Sequence, residues 1–171
     1  MTQGVHVREA AVGEAPVLAA LHLATALHAY AGIFPPEAPV PVLDDVVAQW
    51  RTWLGHDLGD RRATAFVAER AGELVGVVLA APDPDEPDTG HLSRLYVTPP
   101  CWAVGIGRRL HDTVLAHLAG VGFAAATLWV LERNGRARSW YERLGWTATG
   151  DEKTVYAPAG IVDVRYRRPL P

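Results

Sequence analysis

Hydrophobic and polar residues alternate over short runs at several places in this chain, and elsewhere recur at the spacing of a helix face. Val5 to Arg8 alternates as a short first strand. The alanine-rich stretch from about Glu14 to Ala31, carrying Val17, Leu18, Leu21 and Leu27, predicts a helix, and Pro35, Pro36, Pro39 and Pro41 follow to end it. A second helix is expected over Leu43 to Leu54, where Val46, Val47, Trp50 and Leu54 recur at helical spacing and Asp44 and Asp45 sit near the start. Thr64 to Glu69 and Glu73 to Ala81 read as strands joined around Ala71-Gly72, and the acidic, proline-rich turn APDPDEPDTG comes next. A further strand within residues 91–98 stops at Pro99-Pro100, and the chain then turns through Gly105 and Gly107 into a helix from about Ile106 to Leu118. Ala126 to Leu131 predicts a strand, and Asn134 caps a helix over Arg136 to Leu144 that Gly145 terminates. A loop is predicted at residues 150–160, and a last strand runs from Ile161 to Arg168. The expected order is βααβββαβαβ in a single domain covering residues 1–171.

The turn from strand to helix carries the first chemical signal. Glycines at 105 and 107 let the backbone turn tightly, so that the first N–H groups of the following helix face an anion at the positive end of its dipole. A dinucleotide-binding half would need Gly-x-Gly-x-x-Gly, and position 110 is Leu, so that reading fails on spacing.

About thirty residues later comes TLWVLERNGRARSWYERLGW, a second strand and helix. With the stretch Trp102, Ala103, Val104, Gly105, Ile106, Gly107, it resembles the Gcn5-related N-acetyltransferase superfamily over roughly residues 5–168. In that family the loop begins with Gln or Arg where this chain has Trp102, a departure from the pattern. The later element matches through Asn134, Ala137, Trp140, Tyr141, Leu144, Gly145 and Trp146. The resemblance implies an α/β (α+β) fold: a central mixed, mostly antiparallel sheet of six or seven strands with splayed central strands, flanked by about four helices. It also implies acetyl-CoA as co-substrate and transfer to an amine. The backbone at Leu95, Tyr96 and Val97 would pair with the pantetheine arm, residues Ala103 to Arg108 would hold the pyrophosphate, and Asn134 would contact the pantetheine. Asn134 also reads as a plain helix cap, and the two roles are compatible.

Among catalytic candidates, Tyr141 lies on one helix face with Ala137 and Leu144 and takes, by resemblance, the role of general acid to the departing thiolate. A phenol is protonated at neutral pH and can donate. Two residues are candidate bases. His91 stands where the similar aralkylamine N-acetyltransferases carry a histidine, although Ser93 replaces their second one, and Glu132 follows the strand ending at Leu131. Cys101, near a helix start, suggests an acyl-cysteine only weakly, because no His or Asp partner is fixed beside it in sequence. Trp50, Trp53 and Tyr30 read more readily as core than as an acceptor pocket, and Asp83, Asp85, Glu86 and Asp88 as a solvated hairpin tip. Substrate choice is expected in residues 28–58 and 150–163, where Tyr156 and Asp163 sit.

Composition narrows the classes. A chain of 171 residues, 49% of them hydrophobic, fits one core, and a net charge of −3 without a basic helix face leaves no nucleic-acid footprint. One cysteine excludes an internal disulfide, the seven histidines show no i, i+4 pair, and no metal is expected. No basic-then-apolar leader is seen, and no run is read as approaching the roughly 18 apolar residues of a membrane span, so the expected setting is the cytoplasm with no membrane partner. Of 16 Lys and Arg residues only Lys153 is lysine, which suggests a GC-rich bacterial genome. The reading is an acetyltransferase for a primary amine of a small molecule. Its alternatives are a non-catalytic acyl-CoA-binding module and an acyltransferase using another acyl-CoA; homodimers are common in the family.

Overall fold

The alternating runs pair into one seven-stranded sheet in the computed structural model, which describes residues 4–56 and 60–171. Residues 1–3 of the expected domain, and 57 and 58 of the expected acceptor segment, lie outside the described residues. The strands are β1 (His6–Glu9), β2 (Thr64–Arg70), β3 (Glu73–Pro82), β4 (Gly90–Val97), β5 (Ala125–Leu131), β6 (Thr147–Tyr156) and β7 (Ile161–Pro169). Their spatial order is β1-β2-β3-β4-β5-β7-β6, antiparallel throughout except for the parallel pair β4 and β5. The helices are α1 (Ala15–Ala29), α2 (Leu43–His56), α3 (Ile106–Gly120) and α4 (Gly135–Arg143).

Most predicted elements form within a residue or two of their expected bounds. The exception is β6. Residues 150–160, expected as a loop, belong largely to this edge strand, whose residues are exposed along nearly its whole length. With both faces wet, it shows no apolar alternation to read; Thr, Val and Tyr suit an extended chain, and pairing with β7 does the rest.

Two clusters fill the two faces of the sheet. On one, α3 buries Ile106, Leu110, Val114 and Leu118 at helical spacing against β3, β4 and β5. On the other, α1 and α2 bury Leu18, Leu21, Val46, Trp50 and Leu54 against Val67, Val77 and Leu79. Val12–Ala29 is apolar and long enough to pass for a membrane span by length and composition, which corrects the expectation that no run comes near one. Within the fold it buries Ala15, Leu18, Ala19, Leu21 and Thr25 and packs against α2.

Two histidines are built into these cores with their tautomers fixed by neighbours. Trp146 donates its indole N–H to Nε2 of the fully buried His111 at 3.0 Å, so Nδ1 must carry the proton it shares with Asp112 at 2.8 Å. His22 accepts from the Trp50 indole at 3.3 Å through Nδ1 and stacks on Tyr96 with ring centres 4.3 Å apart. Burial pushes the His22 imidazole down to about 4, aided by Arg94, and burial also lowers His111 against the pull of Asp112.

Candidate active site

β4 and β5 pair only at Gly90 with Ala126 and at His91 with Thr127, after which they diverge. One extra residue, Ser93, bulges out of β4, because Arg94 faces Leu79 while Leu92 faces Ala80. Beyond the bulge the β4 edge at Leu95, Tyr96 and Val97 faces an open cleft instead of a partner strand. The cleft measures about 730 Å³ and runs from the loop before α3, past Tyr141, to Trp129, Lys153 and Asp163.

At one end the loop before α3 presents bare amides. From Ala103 to Arg108 no main-chain N–H finds a hydrogen-bond partner among the described residues, and α3 has no side-chain cap. Ala103 and Gly105 both take left-handed backbone conformations, at φ 62° and 89°, the kind of turn in which successive N–H groups can converge on an anion. Six adjacent unpaired donors at the positive end of a four-turn helix suit a pyrophosphate, so the residues present fit the phosphate part of CoA. Trp102, standing at the departed Gln or Arg position, donates its indole N–H to the Val97 carbonyl and carries Arg136 stacked 3.9 Å over its ring. It therefore braces the loop against β4 and holds a cation over the mouth of the cleft.

On the far wall, Asn134 accepts the Ala137 N–H at 3.1 Å and caps α4. It also lines the cleft, so the cap does not use up its amide N–H groups. Ala137 and Tyr141 follow on the inward face of α4. Tyr141 is 8% exposed, and its hydroxyl bonds to no described residue. Burial, with Tyr30 adding to it, pushes this phenol well above its usual range, so it keeps its proton at neutral pH.

The cleft's other end is polar. His91 is half-buried and shares a proton with Thr127 Oγ1 through Nδ1 at 2.9 Å, while the Thr127 hydroxyl donates to Asp83 Oδ2. Because the hydroxyl's single proton goes to the carboxylate, His91 Nδ1 must be the donor, and Nε2 carries the lone pair. Asp83 is 2% exposed and also accepts from Arg165 at 2.8 Å and from the Asp85 N–H at 2.9 Å. Burial works against its charge, but these bonds outweigh it and hold the carboxyl below the usual range. Burial, opposed by Asp83, pushes the His91 imidazole down to about 4.

His22, His91 and His111 are thus all held neutral. Each binds a proton more weakly folded than unfolded, so acid favours the unfolded chain; stability is complete above about pH 6.5 and falls as pH drops toward 4. For His22 and His91, with midpoints near 4, full protonation costs roughly 3 kcal/mol each. Urea unfolding midpoints are expected to decline between pH 7 and pH 5, before most carboxylates titrate. A flat profile over that range would contradict buried neutral imidazoles.

Of the residues the sequence singled out, His91, Leu95, Tyr96, Val97, Trp102, Ala103, Gly105, Gly107, Arg108, Asn134, Ala137 and Tyr141 all border the cleft. Val104 points out, 61% exposed, and Ile106 is a core residue, 1% exposed; both belong to the loop through their amides only. Glu132 is exposed and does not border the cleft, and its backbone carbonyl accepts from Arg138. Trp50 is core as expected, but Tyr30 borders the cleft and Trp53 lies under Arg94. The acidic turn is not simply solvated, since Asp83 is buried beneath it. The sequence marks none of Thr127, Trp129, Arg94, Lys153 and Arg165 as site residues, because single side chains on alternating strands signal nothing until the strands are set side by side.

The comparisons with known proteins agree with this geometry. The sequence model of the Acetyltransferase (GNAT) family matches residues 24–146. A Mycobacterium tuberculosis protein named as a probable N-acetyltransferase is 28% identical over 92% of this chain and 88% of its own length. The mycothiol acetyltransferase of Thermomonospora curvata is 35% identical over 70% of this chain, which spans 38% of that protein's length. Among solved structures, the PaiA N-acetyltransferase of Thermoplasma acidophilum in complex with coenzyme A shares the fold at TM-score 0.80 and 15% identity, covering 98% of this chain and 99% of that one. An unpaired amide loop, splayed central strands and a sequence match across most of the domain converge on one conclusion: the chain belongs to the acetyltransferase (GNAT) family of acetyl-CoA-dependent N-acetyltransferases.

Proposed function

We propose that the protein moves an acetyl group from acetyl-CoA directly to the primary amine of a small molecule, with both substrates in the cleft together. The observation that carries this reading is the run of unpaired amides from Ala103 to Arg108, opening into a splayed cleft that the Tyr141 hydroxyl borders. Acetyl-CoA supplies the activated acyl thioester. The amides hold its pyrophosphate, and the free β4 edge at Leu95 to Val97 lies open to hydrogen bonding by the pantetheine arm. Asn134 supports that arm from the opposite wall. The Tyr141 phenol, protonated at neutral pH, donates to the sulfur as the C–S bond breaks.

His91 serves as proton acceptor through Nε2. An imidazole titrating near 4 is a poor base toward a free ammonium, so the acceptor enters as the free amine, its first proton lost to solvent, and His91 takes the second as the C–S bond breaks and the nitrogen, becoming an amide, turns strongly acidic. Thr127 and Asp83 act through it as positioning residues. Thr127→Val is expected to lower kcat by about tenfold and alter the pH–rate profile, whereas Thr127→Ser restores both. An unchanged profile in the valine variant would rule the relay out. The similarity to mycothiol acetyltransferases supports a small-molecule acceptor. The test of the function is thiol release from acetyl-CoA across a panel of small primary amines. Turnover with any of them supports it, and tight acetyl-CoA binding with no acceptor at all would contradict it.

A further inference from the structure

Around the acceptor end of the cleft, the charges are paired with one exception among the described residues. Arg165, 11% exposed along its side chain, is met by Asp83 at 2.8 Å and Glu86 at 3.0 Å. Lys153 stands 3.7 Å from Asp163, a carboxyl that burial raises against the pull of the lysine. Arg94 borders the same cleft and has no carboxylate within ion-pair distance among the described residues.

The strand geometry puts it there. The bulge at Ser93 brings Arg94 and Tyr96 together onto the face that α1 and α2 cover, and the Arg94 guanidinium lies 4.7 Å over the Trp53 ring. Of its five N–H donors, one at Nη1 is spent on the Ser93 carbonyl at 2.8 Å. Nε is buried and has no hydrogen-bond partner among the described residues. With Nε desolvated and one face laid against Trp53, the guanidinium loses hydration on that side which a single main-chain bond and a stacked ring do not replace, while its edge stays open to the cleft. A carboxylate, whose two oxygens match two parallel N–H groups, replaces it well.

We propose that the acceptor is a small amine that also carries a carboxylate, an amino acid in the simplest case, and that Arg94 binds the carboxylate while the amine faces the thioester. This rests on the acetyl-transfer reading above and adds the substrate's second functional group. Trp53 acts with Arg94 by holding the guanidinium flat, so the anion meets its edge. The site then selects through a group remote from the reacting nitrogen.

The test uses matched acceptors in the acetyl-CoA thiol-release assay, each amino acid beside its carboxamide and its decarboxylated amine, with wild type, Arg94→Lys and Arg94→Gln. Binding of the corresponding N-acetyl amino acids and their amides to the CoA complex is read in parallel from tryptophan fluorescence. Wild type is expected to favour the carboxylate form by ten- to about a hundredfold in kcat/KM, mostly through KM. In Arg94→Gln that ratio falls to near one, and Arg94→Lys retains part of it. A wild-type ratio near one, or an equal loss on both forms in Arg94→Gln, overturns the carboxylate assignment and leaves acetyl transfer standing. If acetyl-CoA binds and no amine of either kind reacts, the proposed function falls and this inference with it.

Discussion

Tyr141→Phe is expected to lower kcat at least about tenfold at saturating acetyl-CoA while leaving the affinity for acetyl-CoA nearly unchanged. The ring stays, so the packing against Trp140 and Trp146, at 5.0 and 6.0 Å between ring centres, is kept. Only the hydroxyl is lost, and no described residue depends on it for a hydrogen bond. The effect is therefore a loss of proton donation to the sulfur and not of structure. Thermal unfolding of the variant should match wild type closely. A variant that turns over as fast as wild type would mean the thiolate leaves unassisted or takes its proton from water. A module that merely binds acyl-CoA would show no turnover to lose.

Asp83→Ala is expected to be the most damaging single change outside the cores. The carboxylate, 1% exposed along its side chain, holds Arg165, Thr127 and two backbone N–H groups, at Asp85 and Glu86. Removing it leaves a largely buried guanidinium without its closest partner, and breaking such a pair costs about 3–5 kcal/mol. In a domain of this size that lowers Tm by roughly 10 °C. Glu86, 3.0 Å from Arg165 but 41% exposed, recovers only part of the loss. The variant also frees the Thr127 hydroxyl proton, so His91 no longer has its tautomer fixed, and activity falls further than stability alone explains. Asp83→Asn keeps the shape and one acceptor, and is expected to lie between the two. Calorimetric unfolding together with thiol-release rates on the still-folded fraction separates the two effects. Loss of less than 1 kcal/mol would mean the carboxylate is not the buried anchor described here.

Where local pattern and tertiary role coincide, the sequence was readable. The period of α2 put Val46, Trp50 and Leu54 on one face, and Asn134 and Gly145 marked the ends of α4, because caps and amphipathic faces are local properties. The anion loop was legible for the same reason: glycine spacing reports a backbone turn. The acceptor end was not. Asp83 looked like part of a solvated acidic turn, and only its position beside Thr127 and Arg165, 44 and 82 residues away, makes it a buried anchor. Arg94 carries no signal in the sequence because its meaning lies in a bulge at Ser93 and in the absence of a counter-ion among the described residues, neither of which a linear pattern records. Strand β6 failed to show because both its faces are wet.

The most direct test of the account is a calorimetric titration of the protein with acetyl-CoA, beside dephospho- and pantetheine-only analogues. The unpaired amides from Ala103 to Arg108 predict micromolar affinity for acetyl-CoA, and binding that collapses once the pyrophosphate is removed. Equal affinity for the pantetheine fragment, or no binding of acetyl-CoA at millimolar concentration, would contradict the phosphate loop and the function built upon it.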